Sequence, residues 1–178
     1  MADYRELMTS SKTIYRGKIV NLRVDEVSLP NGKTSRREVV EHAGAVAIVP
    51  INEKGELLLV RQYRYAAGMA LLEIPAGKLE PGEDFVACAG RELTEETGYA
   101  AGRLKHMISF YSTPGFTNEQ IHLFLATGLT LKKQNLDEDE FIEVETVGLK
   151  QAQEMVMSGA IRDAKSIAGI LAAPNFLE

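Results

Sequence analysis

The sequence predicts an α/β domain, a sheet covered by helices, with a small β region ahead of it. Three observations carry that prediction. Short, uninterrupted apolar runs at residues 45–50 (AVAIVP) and 57–60 (LLLV) have the length and character of strands buried on both faces. One helix is clearly delimited between Asp84, near its N-terminus, and Gly98, which suits a left-handed C-terminal turn. Two further helical segments, 150–157 and 163–172, are split by Ser158-Gly159 and read as the cover of one sheet face. A chain of 178 residues, 45% apolar and 25% charged, holds one sizeable core with an appended N-terminal piece.

Taken in order, residues 12–42 read as strands joined by a hairpin. Ile19, Leu22, Val24 and Val27 alternate loosely, Pro30-Asn31-Gly32-Lys33 supplies the turn, and residues 36–42 return. Little of this stretch is continuously hydrophobic, so we divide the chain into an N-terminal β region, 1–42, and a main domain, 43–178. Within the main domain the first two apolar runs are separated by the turn Asn52-Glu53-Lys54-Gly55-Glu56. The second run ends in Arg61-Gln62-Tyr63-Arg64-Tyr65, where two arginines could meet phosphate, stack on a base, or simply pair with nearby carboxylates. Residues 71–76 (LLEIPA) lead into a Gly/Pro-rich loop, with Glu73 set inside an apolar run, facing a site or pairing with an arginine. Residues 106–112 and 121–126 read as strands around the turn-forming loop 113–119, and residues 136–141 (LDEDEF) form an acidic run that by itself reads as a solvated loop.

Charge and composition narrow the function. A net charge of −5 argues against a nucleic-acid backbone as partner, and an acidic protein that handles phosphates needs local arginines or metal ions. The single cysteine, Cys88, permits no intrachain disulfide and points to a reducing compartment; mid-helix, it reads as a small buried hydrophobe. The first residues carry no apolar run of signal-peptide or membrane-span character, so a cytoplasmic protein without membrane association is expected. His42, His106 and His122 show no metal-ligand spacing and read as strand-face residues.

The helix from Asp84 to Gly98 is where local stability rules fail. Phe85, Ala89 and Leu93 form its apolar stripe, yet Glu92 and Glu96 project from nearly the same side as Phe85. Glu92, Glu95 and Glu96 crowd the end where the helix dipole disfavours negative charge, and Glu92 and Glu96 repel each other as an i,i+4 pair. A hard divalent cation would remedy this, since Mg²⁺ takes carboxylate oxygens and keeps sites open to substrate phosphates; a solvated acidic helix end is the plainer alternative.

Gly77, Glu83, Arg91, Glu92, Leu93, Glu95, Glu96, Gly98 and Tyr99 match, without gap or substitution, the pattern G-x5-E-x7-R-E-U-x-E-E-x-G-U, U being apolar or aromatic. In this the chain resembles the Nudix hydrolase family. The resemblance implies an α/β/α sandwich with a mixed central sheet, and a Mg²⁺-dependent hydrolase, with Mn²⁺ able to substitute, of nucleoside diphosphates linked to another moiety. It implies that Glu92, Glu95 and Glu96 supply metal ligands, directly or through water, with Glu95 also counted among the catalytic residues. Arg91 and Glu83 would pair to hold the loop against the helix, Gly77 would permit the tight turn into it, and Ala76 would offer its carbonyl to a metal.

Other residues place the resemblance in the ADP-ribose pyrophosphatase branch. Pro114, about fifteen residues beyond the box, stands where that branch carries a proline. Arg64 matches a substrate position best, with Arg61 beside it, and Glu119 matches another position near the substrate. N-terminal regions of the branch mediate dimerisation and lend residues to the partner's site, which makes Arg37 a substrate-contact candidate; from the residues alone, Arg36 and Arg37 are a charged strand edge. The acidic run matches a mobile loop that supplies a general base, here Glu138, and a further metal ligand, here Glu140. The expected reaction is hydrolysis of ADP-ribose to AMP and ribose 5-phosphate, or of a related nucleoside diphosphate sugar, by a homodimer. Another nucleoside diphosphate derivative, or a ligand sensor that binds without cleaving, are the alternatives.

Overall fold

The computed structural model describes residues 3–136 and 138–177. It divides into two compact units: the chain up to Gly44 together with Tyr111–Gln120, and Ala45–Phe110 together with the chain from Ile121 onward.

The first unit is built on a three-stranded antiparallel sheet, β1 (Leu7–Arg16), β2 (Asn21–Ser28) and β3 (Thr34–Glu41), in that order. The β2–β3 hairpin closes where the turn chemistry places it, with Leu29 N–H donating to Lys33 O at 2.7 Å and Gly32 N–H to Leu29 O at 2.9 Å. β1 begins five residues before the predicted Lys12, and every one of its residues is exposed, so no alternation marked its start. The loop 111–120 joins this unit through a parallel bridge from Val40 to Thr117 and a bond from the Val40 N–H to Phe116 O at 2.8 Å.

The second unit carries two sheets. β4 (Ala45–Pro50) lies central in a four-stranded mixed sheet of order β7-β4-β9-β8, where β7 is Ala76–Lys78, β8 is Tyr99–Tyr111 and β9 is Gln120–Leu131. It pairs antiparallel with β7 and parallel with β9. β5 (Glu56–Arg64) is central in an antiparallel sheet between β10 (Glu143–Gly148) and β6 (Met69–Glu73). β5 outruns its apolar stretch because Arg61 to Arg64 continue the ladder to Leu72 through Met69.

Period-two alternation splits β4 between two cores. Val46 and Ile48 pack with Cys88, Ala89 and Leu93 of α1 (Phe85–Thr97), while Ala47 and Val49 pack with Ala152, Ile161 and Ile170. The last group comes from α2 (Leu149–Met157), α3 (Ala164–Ala172) and the turn between them. Helices therefore cover both faces, the layering expected of buried strands. The apolar stripe of α1 differs at one end: Phe85 is 42% exposed and stacks on the His122 ring at 3.9 Å instead of entering the core. No helix among the described residues is long and apolar enough to cross a membrane.

Candidate active site

The box helix α1 starts at Asp84, whose carboxylate accepts the N–H groups of Val86 and Ala87 at 2.9 and 3.1 Å. It ends at Gly98, with φ 72°, whose N–H donates to Thr94 O at 2.9 Å. Its last carbonyls are taken up by the segment that leads into the acidic run. Lys132 N–H donates to Gly98 O at 2.7 Å, Gln134 Nε2 to Glu96 O at 2.6 Å, and Asn135 N–H to Glu95 O at 3.1 Å. The stem of the acidic segment is thereby tied to the end of the acidic helix.

Arg91 organises three of the acids. Its Nε and Nη2 fork onto Glu83 at 2.9 and 3.0 Å, and its Nη1 donates to Glu92 at 2.8 Å and Glu95 at 2.9 Å. The Glu80 N–H adds a bond to Glu83 at 3.0 Å. Arg91 first, and that backbone bond second, hold the Glu83 carboxyl at about 2. The loop is thus latched to the helix by a bidentate pair. Burial, helped by the neighbouring Glu83, pushes the Cys88 thiol up to about 12, which makes it unfit as a nucleophile at neutral pH.

Glu96 is treated differently. It is 3% exposed, and its Oε2 accepts the Ala76 N–H at 3.0 Å. Burial pushes its carboxyl up to about 8; that backbone bond opposes the shift, while the charges of Glu92 and Glu140 add to it. Glu92 is also raised, by burial first, although Arg91 opposes the shift. Its carboxylate lies against the Gly77 backbone: a Cβ at Gly77 would fall 1.8 Å from Glu92 Cδ. Acidic oxygens are therefore gathered beside β7 at a site that disfavours their charge.

Comparison with known proteins bears on this arrangement. The NUDIX domain matches residues 41–169, and the nucleoside diphosphate sugar hydrolase N-terminal domain matches residues 8–40. The chain belongs to the Nudix family. It is 45% identical over 168 residues to the ADP-ribose pyrophosphatase of Bacillus subtilis (strain 168), covering 93% of this chain and 91% of that one. It is 44% identical over 170 residues to the methanol dehydrogenase activator of Bacillus methanolicus, covering 94% and 91% respectively. A crystal structure of an ADP compounds hydrolase superposes with a TM-score of 0.87 at 22% identity, covering 98% of this chain and 96% of that one, a likeness of fold.

Nudix hydrolases generally use divalent metal ions, and the residues here suit one. Glu96 is a buried acid whose charged form lacks adequate solvation, and Glu92 lies in a cradle that only glycine leaves open. Among the described residues no three His, Cys, Asp or Glu side chains close into a cage.

The remaining predicted residues fall into three groups. Glu140 is exposed, yet its charge reaches both Glu92 and Glu96, so the end of the acidic run lies near the box. Glu138 is exposed in the adjacent turn, and Asp137 lies outside the described residues. On β5, Arg61 pairs with Glu145 of β10 at 2.5 Å, the carboxylate pairing left open by the sequence, while Arg64 forks onto Glu73 at 2.8 and 2.8 Å. Arg37, Pro114 and Glu119 belong to the N-terminal unit. There Arg37 forks onto Glu6 at 2.7 and 2.5 Å, and Glu119 lies 3.5 Å from His42 Nδ1. Pro114 sits in a turn closed by the Phe116 N–H on Thr113 O at 3.4 Å.

Sequence reasoning missed Lys165, which reaches Glu73 from the first turn of α3 and also pairs with Asp163 at 3.0 Å. A signal was present: a lysine at a helix N-terminus opposes the dipole, the mirror image of the acids ending α1.

Proposed function

We propose that this chain hydrolyses the diphosphate bond of ADP-ribose, giving AMP and ribose 5-phosphate, or that of a related nucleoside diphosphate sugar, with Mg²⁺ as cofactor and Mn²⁺ able to replace it. The observation that carries this reading is Glu96, 3% exposed at the end of the box helix with its Oε2 on the Ala76 N–H at 3.0 Å, in a cluster with Glu92 that burial keeps from holding its charge unaided. A relative named ADP-ribose pyrophosphatase, 45% identical along nearly the whole chain, supports the substrate.

Glu92, Glu96, Glu140 and the Ala76 carbonyl would hold the metal. When bound, Mg²⁺ supplies charge neutralisation of the phosphate oxygens and a lowered pKa for attacking water. Glu138 accepts the water's proton as general base. Glu95 keeps Arg91 loaded, and the Arg91–Glu83 fork fixes the loop. Arg64 and Arg61 bind the diphosphate oxygens, and Arg37, Pro114 and Glu119 of the N-terminal unit contact the substrate.

The N-terminal β region, residues 1–42, also pairs two copies into a homodimer; on β1 it exposes Leu7, Met8, Ile14 and Tyr15. The main domain, 43–178, carries the reaction. The lone Cys88 fits a reducing compartment, and the cytoplasm is the one we propose.

The test is phosphate release with Mg²⁺ from ADP-ribose, ADP-glucose, GDP-mannose, NADH and diadenosine polyphosphates, with phosphatase added to expose terminal phosphates. NADH stands in the panel because the box fixes the diphosphate and not its flanks, so a dinucleotide is a candidate. Dominance of ADP-ribose upholds the reading. Dominance of another diphosphate replaces the substrate, and silence with both Mg²⁺ and Mn²⁺ overturns the enzyme in favour of a sensor.

A further inference from the structure

An ion network joins the end of β5, the end of β6 and the first turn of α3. At its centre Glu73 is 1% exposed and holds Arg64 by two bonds, Nε to Oε1 and Nη2 to Oε2, both 2.8 Å. Lys165 Nζ shares Oε2, and Asp163 pairs with Lys165 at 3.0 Å. Asp163 also caps α3, accepting the Ser166 N–H at 2.9 Å. Ser166 Oγ in turn accepts the Ile74 N–H at 2.8 Å, two residues ahead of Ala76.

Lys165 offsets part of the cost of burying Glu73 by its charge and its bond, yet its place in the fold carries costs of its own. A cation in the first turn of a helix opposes the dipole by about 0.3–1 kcal/mol, and buried ion networks are commonly no more stable than apolar packing of the same volume. Arg64 by itself already gives Glu73 a bidentate partner. What a second cation adds is constraint. Glu73 is less free to turn away from Arg64 while Lys165 holds the same oxygen. With Nε and Nη2 committed to Glu73, the guanidinium presents Nη1 in one fixed direction. Both cations lie near enough to Glu96 for its charge to be felt, which puts the network beside the box.

We propose that Lys165 is a positioning residue for diphosphate hydrolysis: as the second cation on Glu73, it fixes the Arg64 fork in the orientation that receives the substrate's diphosphate oxygens. This rests on the functional reading above.

The experiment is a double-mutant cycle of Lys165→Met and Arg64→Met, with Lys165→Arg alongside. Two quantities are read: steady-state kinetics on ADP-ribose with Mg²⁺, and calorimetric Kd for the hydrolysis-resistant α,β-methylene analogue. Lys165→Met should raise KM and weaken analogue binding about tenfold with kcat within about twofold, the signature of lost ground-state binding. The same substitution should change neither quantity when Arg64 is already Met, and Lys165→Arg should restore most of the loss. Thermal melting reports folding separately, and Lys165→Gln carries the cycle should the methionine variant unfold. Equal effects in both Arg64 backgrounds, a fall in kcat with KM unchanged, or no change at all overturns the proposal. A wild-type protein that neither cleaves nor binds these diphosphates overturns the functional reading; an active wild type matched by Lys165→Met overturns this inference alone.

Discussion

Gly77→Ala separates the position of Glu92 from its mere presence. Gly77 lies in β7, registered against Val46 of β4, so its backbone is held by the sheet. An added Cβ would lie 1.8 Å from Glu92 Cδ and 2.0 and 2.2 Å from its two oxygens. The yielding partner is the far end of a flexible side chain, so the Glu92 carboxylate must retreat by about 1.5 Å to reach ordinary contact. In retreating it loses the 2.8 Å bond from Arg91 Nη1, while Arg91 keeps its fork on Glu83 and its bond to Glu95.

The stability and activity consequences therefore diverge. Losing one charge-assisted bond costs about 1.5–3 kcal/mol, and the smaller unfolded-state entropy of alanine returns about 0.4–1 kcal/mol. A fall in Tm of only a few degrees follows for a chain of this size. A reacting group displaced by an ångström costs about 100-fold in rate, so kcat/KM for ADP-ribose should fall by about that factor or more. The assay is coupled phosphate release across a Mg²⁺ titration, beside thermal melting. Gly148→Ala is the control, since a Cβ there meets nothing within 4 Å. Unchanged kcat/KM in Gly77→Ala would refute the reasoning, because Glu92 would then not be needed where β7 leaves room for it. Loss of the folded state would refute it differently, by showing that the backbone and not the carboxylate gives way.

Three other expectations follow from the same geometry. Glu138→Gln should slow turnover by about 100-fold or more while Mg²⁺ affinity, read from the Mg²⁺-induced shift in Tm, stays near wild type; full turnover rejects the general base. Glu83 has its folded pKa depressed to about 2 from an ordinary 4.5, so its contribution to stability is present above pH 4.5 and lost as pH falls toward 2. Urea midpoints of wild type and Glu83→Gln should differ at pH 6 and converge through that window; a constant difference would mean the Arg91 pair is not the cause. Gly169→Ala should destabilise by about 1–2 kcal/mol, although alanine is ordinarily the better helix former by about 1 kcal/mol. The reason is that its Cβ would meet Val49 Cγ2 at 2.9 Å and Ile74 Cδ1 at 3.0 Å. A gain in Tm would show that those side chains move aside.

Much of the main domain was legible because its signals are local. AVAIVP is buried on both faces, and a strand serving two cores must be apolar at every position. Asp84 and Gly98 bound α1 because each has its capping geometry within a few residues. β1 was less legible, since a fully exposed strand has no face to alternate toward and its pairing with β2 is a property of the sheet. Phe85 followed the helical period yet lies at the helix's first turn, beyond the core's edge, where His122 of β9 supplies its surface.

The candidate site divides along the same line. Glu83 and Arg91 lie eight residues apart and share one loop and helix, so their relation could be read in the chain. Glu73 and Lys165 are 92 residues apart, and no spacing rule connects them. Yet both charged groups were visible as local offences: an acid inside LLEIPA and a base opening α3. Glu92, Glu95 and Glu96 at the end of α1 offend in the same way. Charges that an isolated helix would not favour need compensation from the surrounding structure or from a neighbouring side chain. For Lys165 the compensating groups are Glu73 and Asp163, from outside its helix, whereas Glu92 and Glu95 are met within α1 itself by Arg91. For Glu96 the chain offers the Ala76 N–H and the charge of Lys165, against burial and the charges of Glu92 and Glu140. A divalent cation of the kind Nudix hydrolases generally use would relieve that balance.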